Sequence, residues 1–181
     1  MKPLLLLFLM SMVSLCAGEP PWPRVPYREV RAFAWDPAKT PNIDEQVIRA
    51  DMSFVEGVID KEGVVLNADQ VKRLLKAETH RFADRPVAGC YMPHNAFVFY
   101  NADKKPVAFL EVCFDCLGAR TNPVDANCDP DFYALAKICA ELRIPFGRHK
   151  SVEDFEKGAA EILGPPPGAE PANGTKKAKQ K

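Results

Sequence analysis

Apolar and polar positions alternate along residues 28–35, where Arg31, Phe33 and Trp35 are set against Val30, Ala32 and Ala34. Period-two alternation in β-compatible residues predicts a strand. A second strand is expected over 53–59, closed by the turn Asp60-Lys61-Glu62-Gly63. Residues 97–100 and 106–114 are two further strands, joined by the turn Asn101-Ala102-Asp103-Lys104, and together they form a hairpin. Elsewhere the period is helical. Asn67, with Gln70 three residues on, is a capping-box start, and Val71, Leu74 and Leu75 give the helix behind it an apolar stripe that runs to about His80. Residues 131–142 form a helix with Phe132, Leu135, Cys139 and Leu142 on one face. Ser151 caps a last helix that buries Phe155, Ala159, Ile162 and Leu163. A short helix is expected at 43–50. Residues 36–42 are read as a loop from their Asp-Pro and Thr-Pro pairs, and 117–129 as a long loop. Strands and helices interspersed around an antiparallel hairpin imply an α+β fold. The expected form is a small antiparallel sheet, including a hairpin near 96–114, packed against about three helices.

The two ends of the chain read differently. Residues 1–18 have the form of an export signal: a basic start at Lys2, an apolar run over 4–13 too short to span a bilayer, and small residues before a cleavage point after Gly18. The expected destination is secreted or periplasmic. A lipid anchor on Cys16 is the rival reading, against which the bulky Leu15 stands. Residues 19–163 form a single domain. Residues 164–181, rich in Pro, Gly, Ala and Lys, are expected to be disordered.

Charge narrows the partners. The chain balances 24 Lys and Arg against 24 Asp and Glu. Loss of Lys2 with the signal, and four lysines in the tail at 176, 177, 179 and 181, leave the folded part mildly acidic. Nucleic acid is therefore not an expected partner. No integral membrane segment is expected either, because no later apolar stretch approaches ~20 residues. Export also changes how the cysteines are read. Of 6 cysteines, Cys16 leaves with the signal, and the odd number remaining in an oxidising compartment favours disulfides with at least one thiol left over.

Candidate chemistry gathers at the hairpin mouth. With a four-residue turn, partner numbers across the hairpin sum to about 205, so that His94 faces Glu111 and Met92 faces Cys113. Cys90, Met92, His94, Glu111 and Cys113 then share one face. Phe97, Phe99, Ala108, Leu110, Val112 and Phe114 share the other, which is the core face. Three chemistries fit. Cys90, His94, Cys113 and Cys116 supply three thiolates and an imidazole, a tetrahedral zinc set. Met92 beside them favours a soft ion such as Cu(I), and Glu111 would orient the imidazole from behind. Second, Cys113-Phe114-Asp115-Cys116 is a C-x-x-C pair suited to a thiol–disulfide oxidoreductase, although residues 117–123 make a poor helix and Asp115 disfavours a thiolate. Third, Cys90 could bridge to Cys113 or Cys116 as a plain staple in a disulfide-stapled interaction module without catalysis. Cys139 belongs to the core and Cys128 is the odd thiol or a partner to the cluster. His149 lies in a basic, solvated loop, Arg148-His149-Lys150. Trp22 and Trp35 are packing residues.

The stretch Cys90-Tyr91-Met92-Pro93-His94, then Phe97-Val98-Phe99-Tyr100, and then Cys113-Phe114-Asp115-Cys116 resembles a pattern in uncharacterised exported bacterial proteins. Those combine a C-x-x-P-x-H segment, a V-F-Y strand, a turn and a final C-F-x-C; in this chain His94 follows Pro93 directly. The resemblance spans about 65–147. It implies that Cys90, His94, Cys113 and Cys116 belong to one unit, and it carries no known activity. This chain departs at the turn, where Lys104 stands in place of an expected glycine.

Overall fold

A computed structural model of the chain describes residues 21–36, 38–39, 46–80, 91–125 and 128–168. The expected signal segment, Cys90, and the tail beyond residue 168 lie outside the described residues. Five strands form one antiparallel sheet: β1 (Glu29–Ala34), β2 (Val64–Val65), β3 (Asn95–Tyr100), β4 (Pro106–Cys113) and β5 (Gly118–Asn122), in the spatial order β2-β1-β3-β4-β5. Three helices accompany it: α1 (Ala68–Glu78), α2 (Phe132–Glu141) and α3 (Val152–Leu163). This is the α+β architecture expected from the pattern. Among the described residues, no helix is long and apolar enough to cross a membrane.

The sheet is buried on both faces. Val30, Ala32, Phe97, Phe99, Ala108, Leu110 and Val112 pack into the layer that holds Leu74, Ala77, Phe132, Leu135 and Phe155 of the helices. Phe33, Ala96, Val98 and Phe109 point the other way, into a second cluster with Trp35, Val47, Ile48 and Val55. That second layer is coil. Residues 53–59, expected as a strand, form single bridges rather than a ladder, Ile48 to Phe54 and Trp35 to Val58. The edge of β1 at Arg31 and Ala32 is taken by β2, which leaves residues 57–59 only its end, beside Ala34 to Asp36. Residues 46–50 are likewise not helical; Ile48 is held in extended pairing instead. The turn before β2 is as expected. Gly63 has φ +65°, and a Cβ there would lie 2.6 Å from the Phe33 ring, so the position needs glycine on both counts.

The hairpin register differs from the count made on sequence. Ala96 faces Glu111, Val98 faces Phe109 and Phe99 faces Ala108, so partner numbers sum to 207. The loop is one residue longer than a four-residue turn, with Asn101 N–H donating to Lys105 O at 2.9 Å. An irregularity beside Tyr100, which faces Pro106, adds the second residue. A two-residue shift preserves which face each side chain takes, whereas a shift of one would have exchanged them. The core face is therefore the expected one. Lys104, in the place of the expected glycine, has φ +58°.

The helices begin where their caps predict. Asn67 accepts from Gln70 N–H at 2.9 Å, and the Gln70 amide oxygen accepts from Asn67 N–H at 3.0 Å, completing a capping box. Asp131 and Ser151 cap α2 and α3 in the same sense. The first two helices are joined by Arg73, which reaches Glu141 with two guanidinium nitrogens at 2.8 and 2.5 Å. Cys139 is buried and unbonded, as its helix face predicts. Ile162 is a correction. Expected in the core, it is 49% exposed, and Leu163 closes that face in its place.

Asn67→Ala removes the side-chain half of the capping box at an exposed helix start. The expected cost is ~1 kcal/mol, a lowering of Tm by about 3 °C in thermal denaturation followed by circular dichroism. A Tm within about 1 °C of wild type would mean that tertiary contacts alone hold α1 in place.

Candidate functional site

Strand β4 ends in the C-x-x-C segment, and the chain turns back through it into β5, with Cys113 facing Gly118 across the ladder. Cys113 and Cys116 are disulfide-bonded, with Cα atoms 5.7 Å apart. Cys113 is fully buried and Cys116 is 8% exposed. The Cys116 N–H points at the Cys113 sulfur, 3.3 Å away. Tyr91 lies over this corner so closely that a Cβ on Gly118 would come within 2.9 Å of its ring.

The two residues inside the disulfide loop face different neighbours. Phe114 packs edge-on against Phe146 and Phe155, with ring centroids 5.7 and 5.5 Å apart. Asp115 turns its carboxylate onto residues 147–149. It accepts from Arg148 N–H at 3.2 Å, pairs with Arg148 Nε at 3.3 Å, and lies 3.6 Å from His149 Nε2. A Cβ on Gly147 would stand 3.0 Å from the same carboxylate oxygen, and Gly147 has φ +62°, so this close approach depends on glycine. His149 is not the solvated residue expected from its basic neighbours. Its ring stacks on Phe146 and meets Phe155 edge-on.

Residues 145–147 form one wall of a cleft of about 320 Å³, lined also by Trp35, Asp36, Lys39, Gly57, Val58, Ile59 and His94. Asn95 fixes that wall by donating to Pro145 O at 2.7 Å. Opposite it, Asp36 accepts from Ala38 N–H at 3.0 Å and pairs with Lys39 at 3.3 Å, interactions that hold its carboxyl below the usual range. His94 is anchored through its carbonyl, which accepts from Trp35 N–H at 2.8 Å. Burial lowers the His94 pKa from its ordinary 6.5, the nearby Asp115 partly opposing the shift. The cleft thus presents a neutral imidazole, an ammonium and a carboxylate above apolar side chains.

Glu111 does different work from that expected. The two-residue register shift takes it away from the position opposite His94. It lies 0% exposed in the second layer, where Oε1 accepts from Ile48 N–H at 2.9 Å. Its Oε2 accepts from the Tyr91 hydroxyl at 3.1 Å and from Arg120 Nε at 3.0 Å. Arg120 stands directly across the ladder on β5 and also donates to Ile48 O at 2.9 Å. Burial raises the Glu111 pKa and Arg120 opposes the shift; burial, and then the Glu111 charge, raise that of Tyr91.

Of the residues singled out on sequence, Cys113 and Cys116 are joined to each other. The expected bridge from Cys90 to either of them is therefore replaced by one within the C-x-x-C itself. Cys90 lies outside the described residues. His94 lies within electrostatic reach of Asp115, between the two cysteines. Met92 is 37% exposed rather than facing Cys113. Among the described residues, no group of three or more His, Cys, Asp or Glu is placed to hold a metal ion. Sequence reasoning missed β5, Arg120, Asp115 and the 145–149 wall. The one legible signal was Asp115 inside the C-x-x-C, read there only as a charge beside a thiol.

These elements define an α+β domain with a disulfide-closed sheet corner supporting a small polar cleft. No protein-family model matches the chain, nor does any curated protein or solved structure.

Two outcomes test this geometry. Glu111→Ala leaves the buried Ile48 N–H without an acceptor and Arg120 without its anion. The expected cost is about 3 kcal/mol, or roughly 6–12 °C in Tm; a loss below about 1 kcal/mol in urea denaturation would refute the central role given to this carboxylate. The second is pH dependence. The folded-state pKa of His94 lies below its unfolded value near 6.5, so in the window below that value the unfolded chain binds more protons. Stability therefore falls as pH drops from 6.5 toward the folded value. This component should vanish in His94→Gln when denaturation is compared from about pH 7.5 to about pH 5. An imidazole titration by NMR with a midpoint at or above 6.5 would contradict it.

Proposed function

We propose that the protein is an exported binding module, stapled by Cys113–Cys116, that takes a small ligand in the His94 cleft and performs no catalysis. The observation that carries this reading is the placement of the disulfide. Both sulfurs are buried, and the loop between them presses Asp115 onto the cleft wall. A thiol–disulfide oxidoreductase needs a sulfur open enough for a protein substrate, not only for a small dithiol, and surroundings that lower its pKa, such as a helix N-terminus. Here the chain passes into β5, and the nearest charge is a carboxylate. The zinc or copper reading requires Cys113 and Cys116 as thiolates alongside Cys90 and His94. Bonded to each other, the two sulfurs have no charge to donate, so metal binding belongs to the reduced protein. An oxidising compartment, which the first 18 residues predict, keeps the pair closed. The cleft volume is within the range of small-molecule sites, with apolar walls and a few convergent polar groups.

The test is an NMR fragment screen on the oxidised protein, with thiol count, intact mass and metal content of material isolated from its own compartment. Shifts are expected to cluster at Trp35, Gly57, Ile59 and Gly147, and to weaken in His94→Ala with the fold retained. Stoichiometric zinc or copper in the isolated protein, or catalytic turnover of a disulfide substrate such as insulin, would overturn the reading.

A further inference from the structure

We infer that the Cys113–Cys116 disulfide is a redox control on the cleft, with reduction by a dithiol loosening segment 145–149, of which Pro145 and Gly147 line the cleft. The functional consequence rests on the cleft being a binding site; the mechanical coupling does not. The argument is steric. Bonded sulfurs lie ~2 Å apart, whereas non-bonded ones need roughly 3.5 Å or more, so two thiols must separate by about 1.5 Å. Cys113 is fully buried on the sheet, its β4 backbone paired to β5, and has no room to retreat. The displacement falls on residues 114–116. Phe114 is wedged against Phe146 and Phe155, and Asp115 holds the Arg148 N–H and abuts Gly147. Both residues of the loop thus bear on the same wall. His94 feels Asp115 electrostatically from the other side of the cleft, and Arg148, His149 and Asp154 are the remaining titratable groups around it.

The geometry also assigns the two sulfurs. A thiolate of the dithiol attacks the sulfur of Cys116, the less buried of the two residues, and the S–S electron pair leaves with Cys113. Cys113 departs as a thiolate that the Cys116 N–H, 3.3 Å away, is already placed to stabilise. The second sulfur of the dithiol then displaces Cys116 from the mixed disulfide. The two protons given up by the dithiol return to the two cysteines. The dithiol ends as a disulfide and the protein as a pair of thiols.

Hydrogen exchange on the full-length protein, with and without dithiothreitol, tests the coupling, with thiols assigned by alkylation and peptide mapping. Reduction is expected to speed exchange of the Arg148 amide and its neighbours by about tenfold or more, the scale of losing one charge-assisted hydrogen bond. Amides of α1 should be unchanged. In Asp115→Ala, which removes the acceptor, exchange at Arg148 should be fast in both states and indifferent to reductant. Cys116→Ser should reproduce the reduced pattern without reductant. Alkylation of both cysteines with exchange over 145–149 unchanged would overturn the switch and leave the cleft reading standing. Reduction only together with exchange of α1 would also overturn it, since the bond would then be a staple for the whole fold. Coupled exchange with no fragment bound in the cleft would support the switch while rejecting the proposed function.

Discussion

One buried carboxylate holds the second layer of this fold to its sheet. Glu111 sits on the face of β4 that the helices do not cover, where an unpaired charge would be costly. Its two oxygens are satisfied by three different parts of the chain: the Ile48 amide, the Tyr91 hydroxyl and Arg120 of β5. Arg120 completes the arrangement by donating back to the Ile48 carbonyl and lying 5.0 Å above the Phe109 ring. Coil residues 46–58 have almost no ladder of their own. This anchor works beside the backbone bonds from Asp36 N–H to Gly57 O and from Ile59 N–H to Ala34 O in setting the position of the apolar cluster of Trp35, Val47, Ile48 and Val55. Tyr91, fixed by the same carboxylate, lies over the disulfide corner, so the site inherits its geometry from that anchor.

The disulfide and the cleft are consequently parts of one arrangement. The sheet corner at Cys113–Cys116 presents Phe114 to the helical core and Asp115 to the loop after α2. The wall of the cleft is held by a carboxylate on one side and by Asn95 of β3 on the other. Neither hydrogen bond is made by a residue whose type announces ligand binding. They matter because they decide how far Gly147 and Pro145 stand from His94.

Disulfide chemistry and metal chemistry compete for the same two sulfurs. A bonded pair has no thiolate to give a soft ion, and a ligated pair must release its ion to form the disulfide. In this structure Cys113 and Cys116 are in the first of these states, bonded to each other. Only the first is compatible with Asp115 as the support of the cleft wall.

What the sequence determined by itself is local. Caps and apolar stripes specify α1, α2 and α3, because a cap satisfies orphan amides from within a few residues. Alternation specifies β1, β3 and β4 and which of their faces is the core, because parity along a strand survives a two-residue error in register. The register itself did not follow, since one extra loop residue and an irregularity at Tyr100 leave no trace in an alternation count. Nor did β5, whose residues Gly118–Asn122 have no apolar pattern and are held as a strand by their ladder to β4, in which Arg120 meets Glu111. Residues 53–59 look like a strand, yet β2 occupies the edge of β1 at Arg31 and Ala32 and leaves them only a single bridge at Trp35. In the same way, four chemical residues in a short stretch mark where the site lies. The C-x-x-C pattern alone did not say that its two cysteines bond each other, and that Asp115 meets the segment of Gly147 and Arg148 was decided by tertiary contacts between segments about 30 residues apart, which no local pattern encodes.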